Sequence, residues 1–432
     1  MSSRSSRSRV HRSPSLRTDR AVLLGPQLAA AAVFVVIWTV MTHVAYYWNW
    51  LFGDVDLYEN WGSLTAAHYL PYRDFPLEYP PGAIPIFVSP IYLRKLAGYH
   101  ETYYNWFRIE LLVVGLLTIV AAAWALRLLG ASRARAYAAL LFIGAGPILL
   151  GPIALSRFDY FPALLTVLAV ALLLSGRERL ACAVIGAGIV VKLYPAILLP
   201  IALVVLWRRY GRRGVLEGLG ASLAVVAAGF LPFVVLAPSG LWHSVWRQVQ
   251  RPPEVESFVA ALWIGAHHVA GLRLHSVESF GSSNIATSGA RLAGTLAGFL
   301  VIALVVTIWI RFARGSCDRD EIVLASAACV TAYVAFAKVL SPQYIVWLFP
   351  LVPLVRGRRG LWATVILGIA AVLTQLWEPQ HHGDLYRHFA MRESVLVMTR
   401  DALLVAMLAV LMWPRPLERH AEQLDPARAA AV

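Results

Sequence analysis

The sequence predicts an all-α protein: a polytopic bundle of about twelve transmembrane segments, with helical outer loops. Three observations carry this. Of 432 residues, 59% are apolar and only 14% charged, against about 45–50% and roughly 25% in soluble domains. Apolar runs of membrane-spanning length recur along the chain, as bilayer thickness requires. Short Arg clusters stand between them, the pattern of cytoplasmic membrane loops. A soluble enzyme, a disordered chain and a secreted disulfide scaffold do not fit. The net charge of +14 comes from 38 Lys+Arg against 24 Asp+Glu, but no basic patch is interleaved with aromatics, so no nucleic-acid partner is expected. Only Lys95, Lys192 and Lys338 are lysines, a bias expected of a bacterium with a GC-rich genome. Cys182, Cys317 and Cys329 have neither metal-ligand spacing nor a disulfide framework.

The elements follow in order. Residues 1–21 are polar and Arg-rich, a disordered cytoplasmic tail. The run at about 22–47 is too long for a signal-peptide core and lacks a nearby cleavage site, so it is a retained first span. Further runs lie near 105–129, 136–155, 160–175, 214–237, 290–313, 321–339, 360–377 and 396–413. The run 180–207 is broken by Lys192 and Pro195 and followed by RRYGRR. Two short helices, about 180–191 and 195–207, keep the later basic clusters on one side. The run 342–355 is also short. Interrupted segments of this kind line cavities. The run 83–93 is too short to span and belongs at, or dipping into, the outer surface.

The membrane core is thus 22–413, and 414–432 is a second cytoplasmic tail. Inner segments hold 24 Arg, whereas 15 of the 24 acids lie on or near the outer side. The outer loops, about 48–104 and 238–289, are large; the inner loops have no room for a catalytic domain. In the second loop, FVAALWIGAHHVAG reads as an amphipathic or re-entrant helix anchored at the interface by Trp263. Chemistry is therefore expected on the outer face of the plasma membrane.

The chemical residues gather in a few words. Asp54 and Asp56, in GDVDLYENW, sit where headgroups meet water; they read as a general base at a cavity or as solvated or capping acids. Glu78 in EYPP is a substrate contact or a helix-dipole charge. Arg157 and Asp159, in SRFDYFP, are an ion pair or a phosphate or sugar contact. Lys192 is the sharpest signal, because a cation within a span costs about 2.5–3.5 kcal/mol and normally faces a cavity or a partner. Lys338 faces the cavity or snorkels. Arg247, Arg251, Glu254 and Glu256 occupy RQVQRPPEVESF. The pairs His267-His268 and His381-His382 do not share a helix face. No cofactor and no metal-ligand cluster are expected, a divalent ion at the phosphate is left open, and the common hydrolase and nucleotide motifs are absent from the relevant places.

Taken together, GDVDLY, LPYRDF, EYPPG, SRFDYFP, VKLYP, RPPEVES and KVLSPQYIVWL, running in order from about residue 50 to 350, resemble glycosyltransferase family 87, the polyprenol-phosphate-sugar-dependent membrane glycosyltransferases of the GT-C superfamily. The resemblance implies a GT-C-like fold, a polyprenyl-phosphate sugar donor held among membrane lipids, and a lipid-linked or glycan hydroxyl as acceptor. Its better-known members transfer mannose to inositol-lipid mannosides, so mannose is the expected sugar. It implies an acid of the first outer loop as base. The D-x-x-x-Y match selects Asp54, with Asp56 the alternate. Those members carry His near the segment that here has Gln343 and Tyr344. The expected donor-phosphate and substrate contacts are the cations Lys192, Lys338, Arg157 and Arg251, with Asp159, Glu78, Tyr79, Tyr194, Gln343 and Glu256. The reaction is a single displacement with inversion. A secondary transporter or lipid flippase is the rival reading, since it also uses intramembrane Lys and broken helices; a non-catalytic assembly partner is a third. The concentration of acids in outer loops, not at the midplane, favours the enzyme.

Overall fold

In the computed structural model, residues 16–48, 54–98 and 100–413 are described. Most of the expected N-terminal tail, and the expected tail 414–432, lie outside them. The chain folds as an apolar helix bundle in which side-chain caps start several helices. Thr102 accepts from Asn105 N ahead of Tyr103–Leu128, Ser132 from Arg135 N ahead of Arg133–Leu150, and Asp318 from Glu321 N ahead of Arg319–Phe336. Each cap satisfies a first-turn amide that has no partner within the helix. Among the described residues, seven helices are long and apolar enough to cross a membrane. Tyr160–Leu174, Phe258–Ala270 and Pro342–Leu354 are shorter apolar stretches. The first helix, Leu16–His43, reaches back into the stretch expected to be a disordered tail.

The arginines of the short links close one end of the bundle. Arg208 donates to Ala313 O at 2.5 Å, Arg319 to Leu128 O at 2.9 Å, Arg135 to Leu354 O at 2.5 Å and Arg311 to Met412 O at 3.0 Å. The carbonyls of Ala313, Leu128 and Met412 belong to the last turns of neighbouring helices, where they lack an intrahelical donor and a cation is favoured.

The break at Lys192 is present. Helix Glu178–Val191 ends at Lys192, whose backbone is extended, and Tyr194–Leu198 forms a 3-10 turn before helix Leu199–Leu236. The backbone leaves helical geometry at Gly211, where φ is +60° and ψ −151°, so Leu199–Leu236 is two helices that meet there, as the two expected segments, about 195–207 and 214–237, have it. The run 342–355 departs from expectation. It is two 3-10 turns, Pro342–Trp347 and Val352–Leu354, packed inside the bundle. Pro342, Pro350 and Pro353 deny this stretch the amides of a regular helix.

The two large loops and residues 376–390 build a cap over the opposite end. It contains helices Asp54–Ala66, Ala83–Leu96, Pro238–Gln250, Phe258–Ala270 and His382–His388. It also contains a β-hairpin, Ser276–Ser279 against Ser282–Ile285, where only helix was expected. Its two turn residues, Phe280 and Gly281, both have positive φ, as the twist-matched two-residue turn requires. A small separate core, including Ile264, Ile285, Trp377 and Val397, holds the cap together. Trp263 packs on this core, half-buried.

Candidate active site

A cavity of about 1160 Å³ lies between the cap and the bundle. The first turn of helix Asp54–Ala66 enters it with Asp54, EYPP with Glu78 and Tyr79, SRFDYFP with Arg157, and the helix break with Lys192 and Tyr194. RPPEVES adds Arg251, Glu254 and Glu256, and SPQY adds Gln343 and Tyr344. Tight backbone contact fixes this convergence. Gly82 N donates to Val190 O at 2.8 Å, and a Cβ at Gly82 would stand 2.8 Å from that carbonyl. EYPPG therefore docks on the end of the helix that delivers Lys192, and only glycine fits there.

The cations of the cavity are paired with carboxylates. Arg157 Nη1 lies 2.8 Å from Asp54 Oδ2, and Tyr58 OH donates to the same oxygen at 3.5 Å. Lys192 Nζ lies 2.7 Å from Asp159 Oδ1, which also accepts from Trp347 Nε1 at 2.7 Å. Asp159 is fully buried and Lys192 is 8% exposed. The ammonium stands 4.9–5.6 Å from the ring centres of Phe158, Tyr344, Trp347 and Tyr79, within cation–π range. Trp347 is itself sandwiched, its centroid 3.8 Å from Tyr194 and 4.1 Å from Tyr344. Arg251 reaches Glu254 at 3.3 Å and Ser282 Oγ at 3.2 Å. Arg247 lies 3.4 Å from Glu78. Burial raises the Glu78 pKa against the opposing pull of Arg251 and Arg247. Arg157 Nε is buried with no hydrogen-bond partner among the described residues, and so is Asp159 Oδ2.

Three expected site residues are elsewhere. Lys338 does not line the cavity; its Nζ donates to Val249 O at 2.6 Å, tying the second outer loop to the bundle. Asp56 is exposed on another side of its helix, accepting from Tyr104 OH at 2.5 Å, and does not line the cavity. Two residues apart on a helix, Asp54 and Asp56 cannot share a face. Asp159 is not at the cavity surface either, and acts behind Lys192.

The structure adds two residues to the site, Glu378, which the sequence did not single out, and His382, which the sequence offered only within a pair of adjacent histidines. Glu378 and His382 line the cavity beside Glu256. His382 Nδ1 stands 3.1 Å from Glu256 Oε1 and 2.9 Å from Glu378 Oε2, and its Nε2 is 3.2 Å from Ser283 Oγ. Burial lowers the His382 pKa, but the carboxylates of Glu378 and Glu256 outweigh it and hold the imidazole above its usual value. Glu378 and His382 stand four residues apart in the chain, which is the signal the sequence carries for this pair.

A bundle of apolar helices carrying a carboxylate- and cation-lined chamber at one end defines a multi-pass membrane protein with a polar reaction chamber. The family model of glycosyltransferase family 87 matches residues 77–342, more than half of the chain, and the protein belongs to that family. Among solved structures, the chain is similar to the crystal structure of ArnT from Cupriavidus metallidurans bound to undecaprenyl phosphate. Identity is 17%, over 88% of this chain and 76% of that one, with a TM-score of 0.45. No curated protein matches the chain.

Proposed function

We propose that this membrane glycosyltransferase moves a hexose, with mannose the first candidate, from a polyprenyl-phosphate donor to a hydroxyl of a lipid-linked or glycan acceptor, with inversion. The observation that carries this is the presence of Asp54, Arg157 and Lys192 in one cavity. Asp54 takes the proton of the acceptor hydroxyl as its oxygen bonds to the anomeric carbon, and the bond from that carbon to the phosphate oxygen breaks. Phosphate leaves as an anion, so one base suffices and no general acid is required. The unpartnered Nε of Arg157 and the Lys192 ammonium stabilise the charge that grows on the phosphate. Arg157 also orients Asp54 through their 2.8 Å contact.

The end closed by arginines is the cytoplasmic one on the positive-inside rule. The cavity then opens to the outer leaflet, where a polyprenyl chain stays in lipid while its phosphate enters the chamber. Family membership favours this reading over a transporter or flippase. The test is incubation of purified, reconstituted protein with radiolabelled polyprenyl-phosphate mannose, and with other polyprenyl-phosphate hexoses, in the presence of a lipid extract. A labelled product of inverted anomeric configuration is expected. Failure of every such donor to yield product overturns the reading.

A further inference from the structure

We infer that Glu256, Glu378 and His382 form a binding site for one divalent transition-metal ion, zinc or manganese, on the cavity wall. The three side chains come from distant segments. Glu256 lies in the link before helix Phe258–Ala270, while Glu378 and His382 lie in the connection between the last two long helices. Their ligand atoms lie within 4.8 Å of one another. Both carboxylates converge on one nitrogen, at 3.1 and 2.9 Å from His382 Nδ1. Ligands about 2.0–2.2 Å from a zinc ion stand roughly this far apart around it.

Three features mark this as a site beyond the cluster itself. Glu256 is 3% exposed, and its Oε2 has no hydrogen-bond partner among the described residues. A buried carboxylate oxygen with nothing to accept from costs free energy that a bound cation would recover. The ring is pre-oriented: Nε2 lies 3.2 Å from Ser283 Oγ, and the ring packs against Trp377 and Tyr386. A ligating His characteristically gives its other nitrogen to such a partner. The backbone of Glu256 is also fixed, because the fully buried Arg400 donates to its carbonyl at 2.7 Å.

The donor set selects the ion. An imidazole with two carboxylates suits zinc or manganese, whereas calcium takes six to eight oxygens and magnesium keeps an oxygen and water shell. All three ligands line the cavity, so three protein ligands leave positions open toward it, the arrangement of a catalytic rather than a structural ion. A substrate hydroxyl or phosphate oxygen would take such a position. That role rests on the glycosyl-transfer reading; the binding itself does not.

The test measures metal, not activity. Purified protein is stripped with EDTA and titrated with ZnCl2, MnCl2 and MgCl2, with stoichiometry read by elemental analysis and Mn(II) occupancy by EPR. One equivalent of zinc or manganese per chain is expected, with magnesium weaker. Glu378→Gln and His382→Ala should each weaken binding at least about tenfold, while Asp384→Asn, in the more exposed His381, Asp384 and Glu393 group, should leave it unchanged. Gel filtration and thermal melts of each variant confirm folding. Absence of a stoichiometric ion in the parent protein overturns the inference, as does an ion that both site variants retain or that Asp384→Asn releases. None of these outcomes depends on whether sugar transfer is observed.

Discussion

Lys192 shows how a residue can be conspicuous for one reason and placed for another. As an intramembrane cation it was expected to meet a phosphate. It does line the cavity, but its Nζ is held 2.7 Å from the fully buried Asp159. Removing one partner of a buried pair costs about 3–5 kcal/mol, because the other charge is left uncompensated. Lys192→Met should therefore lower the melting temperature of the detergent-purified protein markedly. The double variant Asp159→Asn with Lys192→Met should restore most of that stability without restoring use of the lipid donor. A double variant with normal donor KM would confine Lys192 to structure. Asp54 stands differently: it is half-buried at the cavity surface, with Arg157 Nη1 at 2.8 Å. Asp54→Asn should reduce transfer about 10²–10⁴-fold, the usual worth of a positioned base, with the protein still folded on gel filtration. Asp56→Asn should keep transfer within about threefold, since that carboxylate faces away from the cavity. Radiolabelled-sugar transfer in vesicles reads both.

The elements that carry the site are held by close backbone contacts more than by regular packing. EYPPG touches the end of helix Glu178–Val191 through Gly82, and Gly82→Val would drive a side chain into the Val190 carbonyl, 2.8 Å away. Overpacking of this kind costs about 1–3 kcal/mol. A lower melting temperature is expected, together with a raised KM for the lipid donor, because Tyr79 and Lys192 move apart. A normal donor KM with a lowered melt would detach this contact from the site. Apolar length and Arg placement made the long helices legible, and the Lys192-to-Pro195 break was legible because a charge and a proline interrupt an otherwise unbroken run. The β-hairpin was not. Its strands, SVES and SSNI, are short and mostly polar, with none of the alternating pattern that marks a strand. The 3-10 turns of 342–354 were concealed for the opposite reason: an apolar run reads alike as a helix or as buried irregular chain.

At the scale of the whole molecule, charge asymmetry predicts the orientation. Arginines gather at one end and cap helix carbonyls there, while the carboxylates of the cavity, Asp54, Glu78, Glu254, Glu256 and Glu378 among them, lie at the other. In a chain carrying Cys317→Ser, a cysteine at the exposed Arg273 should react with an impermeant thiol reagent on intact cells. One at the exposed Arg358 should react only after permeabilisation. The reverse pattern would place the cavity in the cytoplasm and remove the outer-leaflet reading.

The sequence by itself determined the class of protein, the long apolar helices near their observed positions, and most of the words that line the cavity. Composition and spacing are properties of the chain that a bilayer sorts directly, by length and by charge. Only the tertiary structure decided which side chains meet. It paired each expected cation in the cavity with a carboxylate, drew Lys338 and Asp56 away from the cavity, and brought Glu378 and His382 to Glu256 across more than a hundred residues. Such meetings depend on the direction of each side chain and the register of each helix end, which a rotation of a single residue reverses and which no local pattern of residues encodes.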